Sequence, residues 1–271
     1  MRRLIVFIGG PILLLAGLLL LLVLLPFGPP HLHRTGSRII RLWLATAAAL
    51  FGVRCEVRGA PAPAPVLFVA NHVSWLDIPV IGSRVEASFL SKAEIRHWPV
   101  IGFLAARTGT LFIERGRPGA SEAAIGTVRD CLCTGHSVVL FPEAGTSPGR
   151  SVRRFHPRLV QAAIDCAVPV QPVAIQYLHQ GHPDPLVPFV DGASFLESVW
   201  RITRRRYIQA RLTFFDPIET RGRSRDEIAT EARERILSVF DPAWEEETVD
   251  STLASRIRNA EDAETQRTRR E

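Results

Sequence analysis

Apolar positions along the chain fall into two regimes. From Leu4 to Leu25 (LIVFIGGPILLLAGLLLLLVLL) no charged residue occurs. A helix of that length would run about 33 Å, enough to cross the hydrocarbon region of a bilayer. A cleaved signal peptide is the rival reading, but PFGPPHLH follows in place of a small-residue cleavage site, so the run reads as a retained anchor. A second apolar run, Leu42 to Val53, comes after a turn rich in Pro and Gly. It is too short to span comfortably and predicts an interfacial or re-entrant helix. Arg2 and Arg3 precede the first run, and Arg34, Arg38 and Arg41 follow it. Basic residues on both sides suit a hairpin dipping into one leaflet with both ends on the cytoplasmic face of the inner or cell membrane; a single crossing satisfies the same pattern.

Beyond about Arg58 the periodicity becomes that of an α/β domain. Pro61 to Pro65 (PAPAP) is a stiff linker by composition. Val66–Ala70 and Val138–Phe141 are short, wholly apolar runs that predict buried strands. Val168–Ile175 predicts a third, which its prolines would push to an edge or irregular position. Ile125, Val128 and Leu132 recur at helical spacing, Pro157 suits the first turn of another helix, and Ser224 with Glu227 forms a capping box. Strands alternating with helices predict an α/β fold with a mostly parallel sheet covered by helices, preceded by the N-terminal hydrophobic anchor or hairpin. The expected division is an anchor over 1–57 (helices 4–25 and 42–53), a domain over 58–244 and a polar tail over 245–271.

Composition narrows the function classes. Of 271 residues 46% are hydrophobic, which excludes a wholly disordered chain, and Lys+Arg 33 against Asp+Glu 27 leaves +6. That excess favours anionic lipid or a phosphorylated substrate; the apolar anchor and the absence of aromatic-basic interleaving argue against nucleic acid. Cys55, Cys131, Cys133 and Cys166 show no CxxC pair and read as free buried thiols rather than a disulfide framework. No GxSxG elbow, GxGxxG fingerprint, Walker A loop or HExxH pair occurs, so Ser74 reads as a turn residue.

What remains is Asn71-His72-Val73-Ser74-Trp75-Leu76-Asp77, directly after a predicted strand. Five residues along a regular helix rotate a side chain by about 140°, so His72 and Asp77 cannot meet on one helix face. They can meet if His72 sits on a strand-to-helix turn and Asp77 lies in the first helical turns. Asp77 would then fix the imidazole tautomer while the other nitrogen takes a proton. A second pair at this spacing, His179 and Asp184, follows no compact buried strand and reads as coincidence.

Three further segments occur in order: GTLFIER (Gly109 to Arg115), FPEAGT (Phe141 to Thr146) and VPVQPV (Val168 to Val173). With NHVSWLD, they resemble the blocks of the glycerolipid acyltransferase family, which includes the 1-acylglycerol-3-phosphate acyltransferases. The resemblance covers about residues 66 to 218. The third block is usually FPEGT; here Ala144 stands where glycine is usual and Gly145 where threonine is usual, so both Gly145 and Thr146 become candidates for contact with the acceptor. The resemblance implies an O-acyltransferase in which His72, held by Asp77, deprotonates a lysophospholipid hydroxyl. That oxygen would attack the thioester of acyl carrier protein or acyl-coenzyme A, with no cofactor and no metal. It further implies Arg115 as phosphate anchor, Glu143 as the acceptor-orienting residue, Lys92 as a second phosphate contact, and oxyanion donors near the Gly145 turn. Structural readings stand beside these: Arg115 as an ion-pair partner of Glu114, Glu143 as a helix cap, Lys92 as solvated surface. The expected acceptor is 1-acyl-sn-glycerol 3-phosphate, giving phosphatidate. The alternatives are another lysolipid, such as lyso-ornithine lipid, or a non-catalytic membrane lipid-binding protein.

Overall fold

The computed structural model describes residues 2–114, 119–190 and 192–245. Helix α1 (Arg2–Leu24) takes in the first apolar run and is the one helix among the described residues long and apolar enough to cross a membrane. Most of its surface is left uncovered by protein, with Leu4, Ile8, Ile12, Leu15 and Leu22 among its exposed side chains. Helix α2 spans Arg34–Leu50, not 42–53. It starts earlier because the His33 side chain accepts the Gly36 N–H at 3.2 Å and caps the helix there. Gly36 lies so close to the Pro30 carbonyl that a Cβ would come within 2.1 Å of its oxygen. The helix stops at Leu50 because Gly52 adopts φ +65° and turns the chain, so that Val53 already opens strand β1 (Val53–Arg58).

The remaining strands are β2 (Leu67–Ala70), β3 (Ala87–Lys92), β4 (Leu111–Ile113), β5 (Ser137–Leu140), β6 (Val170–His179), β7 (His182–Pro183) and β8 (Ile208–Phe214). Their order across the sheet is β1-β8-β6-β2-β5-β3-β4, with β7 paired to β6. All neighbours run parallel except β6–β8 and β6–β7. Helices α3 (Asp77–Gly82), α4 (Ile101–Arg107), α5 (Ala120–Cys133), α6 (Gln161–Asp165), α7 (Phe195–Ile202) and α8 (Arg225–Leu237) fill the connections. Alternate residues of each strand point to opposite faces. Leu67, Val69, Val138 and Leu140 pack with α5, α6 and α8 on one side. Val66, Phe68, Ala70 and Val139 pack with α2, α3 and α7 on the other. The α8 capping box forms as the sequence predicts, with Ser224 and Glu227 exchanging hydrogen bonds.

Two further expectations are corrected. The proline-containing strand lies in the interior of the sheet, not at an edge: β6 sits between β2 and β8. Pairing with β8 begins only at Val173, so Pro172 removes no ladder bond on that side. The Gln171 side chain fills the gap instead, donating to the Phe215 and Ala60 carbonyls at 2.8 and 2.9 Å and accepting the Ala62 N–H. The cysteines are not all free: Cys133 is bonded to Cys166, because the ends of α5 and α6 place their Cα atoms 5.3 Å apart, within bridging range. Cys55 and Cys131 remain free thiols and are half-buried rather than buried. Residues 246–271 of the predicted tail lie outside the described residues.

The hairpin of α1 and α2 lies along the domain instead of projecting from it. Arg2 donates to the Arg205 carbonyl, just before β8 and therefore at the end of the sheet where β6 finishes. The turn after α1 sets His31 against Gly109, just before β4 and so at the end where the parallel strands begin.

Candidate active site

Strands β2 and β5 end side by side, and the loops that leave them meet. Asn71, fully buried, fastens the end of β2 to β6: its amide donates to the Ile175 carbonyl at 2.9 Å and its oxygen accepts the Ile175 N–H at 2.8 Å. The next residue, His72, projects at the strand end, and the chain turns through Ser74 and Trp75 into α3, whose first residue is Asp77. The predicted turn geometry therefore forms. His72 Nδ1 lies 2.7 Å from Asp77 Oδ2, with the Asp77 side chain fully buried and the His72 side chain 20% exposed. The same oxygen accepts the Val73 and Ser74 N–H groups at 2.7 and 3.0 Å. Ser74 thus contributes its backbone to the turn, as a turn residue should. The imidazole ring lies flat against Phe141, centroids 4.0 Å apart. With Nδ1 tied to the carboxylate, Nε2 is the nitrogen left to exchange a proton with a ligand.

The third block and the serine that follows it grip the His72 backbone from both sides. Glu143 Oε1 accepts the His72 N–H at 2.9 Å, and its other oxygen accepts the Arg153 N–H at 3.3 Å. Ser147 donates to the His72 carbonyl through both its N–H (2.7 Å) and its hydroxyl (3.1 Å). Glu143 is buried, and burial pushes its carboxyl up to about 7 against the stabilising pull of those two N–H donors. Ala144, at the position where glycine is usual, adopts φ +61°, a left-handed conformation that costs a side-chain-bearing residue about 1–2 kcal/mol. Gly145 faces open space where a side chain would project. Thr146 donates its hydroxyl to the Phe189 carbonyl, so it braces the loop.

Lys92 ends β3, exposed, opposite Ile113 of β4, at the end of the sheet that carries His72. Arg115 lies outside the described residues. His179 and Asp184 are not a second dyad. Arg205 stands between them, binding Asp184 through two nitrogens at 2.8 and 3.0 Å and His179 Nε2 at 3.2 Å.

Sequence reasoning missed Tyr177. Its hydroxyl, fully buried on β6, donates to Asp77 Oδ1 at 2.8 Å, so four donors hold the carboxylate. Burial first, and the Asp77 charge second, hold the phenol's proton far above its ordinary value, which keeps it a donor. Only the alternation of β6, in which Ile175 and Tyr177 share a face, hints at the contact.

A cavity of about 520 Å³ opens between α1, α2, α4 and the sheet, lined by Leu21, Trp43, Leu44, Phe89, Ile101 and Leu104 among others. Phe89 lies 6.5 Å from Phe141, the ring on which His72 stacks, so two aromatic rings connect the cavity wall to the imidazole.

Comparison with known proteins gives a consistent result. A family model described as Acyltransferase matches residues 54–176. A lyso-ornithine lipid O-acyltransferase of Pseudomonas aeruginosa is 39% identical over 208 residues, 76% of this chain and 80% of that protein. A 1-acyl-sn-glycerol-3-phosphate acyltransferase of Neisseria meningitidis is 36% identical over 179 residues, 65% and 69% of the two chains. The crystal structure of the 1-acyl-sn-glycerophosphate (LPA) acyltransferase PlsC from Thermotoga maritima superposes with a TM-score of 0.57 at 22% identity, covering 92% of this chain and 98% of that one; the fold is shared.

Proposed function

As the chain belongs to the glycerolipid acyltransferase family, we propose that it esterifies the free hydroxyl of a lysolipid with an acyl group from a thioester, using His72 as general base. The observation that carries this reading is the 2.7 Å contact between His72 Nδ1 and a fully buried Asp77, with the ring partly open at the strand ends. Nε2 takes the hydroxyl proton as the oxygen attacks the thioester carbonyl. The tetrahedral oxyanion then collapses, the carbon–sulfur bond breaks, and the imidazolium returns its proton to the departing thiolate. Asp77 stabilises the imidazolium without accepting the proton; general-base help of this kind is worth on the order of 10²–10⁴-fold. Backbone N–H groups of the turn at Gly145 are the proposed oxyanion donors, supported by the open space on that side of the turn. Glu143 acts from behind, by fixing the His72 backbone.

The cavity beside Phe89 suits an acyl chain: it is largely apolar, and its volume falls in the range of roughly 300–1,000 Å³ usual for ligand sites. The donor is acyl carrier protein or acyl-coenzyme A. The hairpin of α1 and α2 lies in one leaflet on the cytoplasmic face, supported by the exposed apolar surface of α1 and its course along the domain. The acceptor is 1-acyl-sn-glycerol 3-phosphate, for which Lys92, at the end of β3, would supply one cation and Arg115, as the family resemblance implies, another. A second acceptor, lyso-ornithine lipid, is favoured by the identity to the Pseudomonas aeruginosa enzyme.

A panel of lysolipids, each offered with both donors to the purified protein in lipid nanodiscs, decides between the acceptors. Arg115→Lys should raise the KM for a phosphate-bearing acceptor more than that for the donor. An unchanged acceptor KM would remove Arg115 from the phosphate site, and no transfer to any lysolipid would end the enzymatic reading.

A further inference from the structure

Helix α7 carries Leu196 and Trp200 four residues apart, hence on one face, and leaves them 70% and 45% exposed. That face continues the apolar surface of α1. Phe7 lies 5.9 Å from Trp200, ring to ring, and the Arg3 guanidinium sits 4.0 Å above the same indole. The chain leaving α7 then presents Arg204, Arg206 and Tyr207, all exposed, and Arg54 lies 4.4 Å over the Tyr207 ring. The acidic group on α7, Glu197, is engaged in the capping box with Ser194. Large apolar side chains flanked by arginines and ring-bearing residues are the pattern of an interfacial segment, and scattered exposure alone does not produce it.

The opposite face of α7 touches the catalytic loop. Trp75, inside NHVSWLD, donates its indole N–H to Ser198 Oγ at 3.1 Å and packs 5.0 Å from Phe195. Arg201 donates to the Leu186 and Pro188 carbonyls, next to Phe189, which accepts the Thr146 hydroxyl.

We propose that α7 and the segment through Tyr207 form a second membrane-docking face, selective for anionic phospholipid, that seats the His72 loop at the headgroup level. This rests on the reading of α1 as a membrane element but concerns a different surface. Leu196 and Trp200 enter the acyl boundary, and Arg204 and Arg206 meet phosphate groups. An acidic carrier protein would also meet the arginines, but it would leave the apolar pair and its continuity with α1 without a purpose.

The test uses the full chain in nanodiscs of phosphatidylcholine with or without phosphatidylglycerol, with phospholipids brominated along the acyl chain as quenchers of tryptophan fluorescence. Trp200→Phe should remove a resolved part of the quenching. Arg204→Gln with Arg206→Gln should raise the KM for bilayer-borne lysolipid by roughly fivefold per arginine when phosphatidylglycerol is present, and leave turnover of a short-chain monomeric acceptor unchanged. Equal quenching in wild type and Trp200→Phe would overturn the proposal. So would a double variant whose KM rises only for the carrier-protein thioester, which would assign the arginines to the carrier. Flotation with vesicles tests the anchor separately: failure of the wild type to float would refute the membrane reading itself.

Discussion

Replacing Glu143 with glutamine isolates what burial does to one carboxyl. In the folded chain the group titrates near 7, against an ordinary 4.5, a difference equivalent to roughly 3 kcal/mol. Below pH 4.5 both folded and unfolded chains hold the proton and the burial cost is absent. As the pH rises toward 7 the unfolded chain ionises first, so stability present at low pH is lost, in full once the folded group also ionises. Between pH 5 and 8 the wild-type domain should lose about 2–3 kcal/mol from this one residue. Glutamine cannot ionise, so the variant lacks that loss. Its amide can satisfy only one of the His72 and Arg153 N–H groups with an oxygen, which costs about 1–3 kcal/mol at either pH. The variant should therefore unfold below the wild type at pH 5, and the gap should shift in its favour at pH 8. At about 2–4 °C per kcal/mol for a chain of this size, that shift is roughly 5–10 °C in Tm. Differential scanning fluorimetry of both proteins in the same detergent at the two pH values measures it. A gap that stays constant would refute the argument that burial governs this carboxyl.

Three further outcomes follow from the same contacts. Tyr177→Phe strips a donor from the buried Asp77 carboxylate and should cost about 1–3 kcal/mol of stability. It should also lower kcat with the acceptor KM little changed, because Asp77 then holds the His72 ring less firmly; an unchanged kcat would make Tyr177 merely structural. Ala144→Gly relieves the left-handed strain, so Tm should rise by the equivalent of up to about 1 kcal/mol with kcat intact, and a fall would show that the methyl group packs usefully. Reducing Cys133–Cys166 opens a loop of sequence separation 33 and should cost roughly 3–4 kcal/mol, with Cys133→Ser reproducing the reduced wild type; an indifferent Tm would mean the bridge does not persist in the protein tested.

Local patterns carried most of the fold. The first apolar run, the VLFVA and VVLF strands and the Ser224 capping box are each written in nearby residues, and each forms; the second apolar run gives a helix with different ends. The His72–Asp77 geometry was legible for the same reason, since a five-residue spacing leaves only a turn into a helix. Long-range features were not legible. Tyr177 reaches Asp77 from 100 residues away in sequence, and Cys133 meets Cys166 only once α5 and α6 have packed. The true start of α2 depended on a histidine cap, a residue type outside the usual Ser, Thr, Asp and Asn signals. The interior place of β6 depended on Gln171, whose side chain stands in for a ladder bond that the prolines seemed to forbid.

The most direct test of the chemistry is the rate of acyl transfer to a lysolipid in nanodiscs by His72→Ala, measured beside its thermal unfolding. A loss of about 10²–10⁴-fold or more, in a protein whose unfolding temperature stays within a few degrees of wild type, is the expected result. A folded variant that transfers the acyl group at the wild-type rate would contradict it.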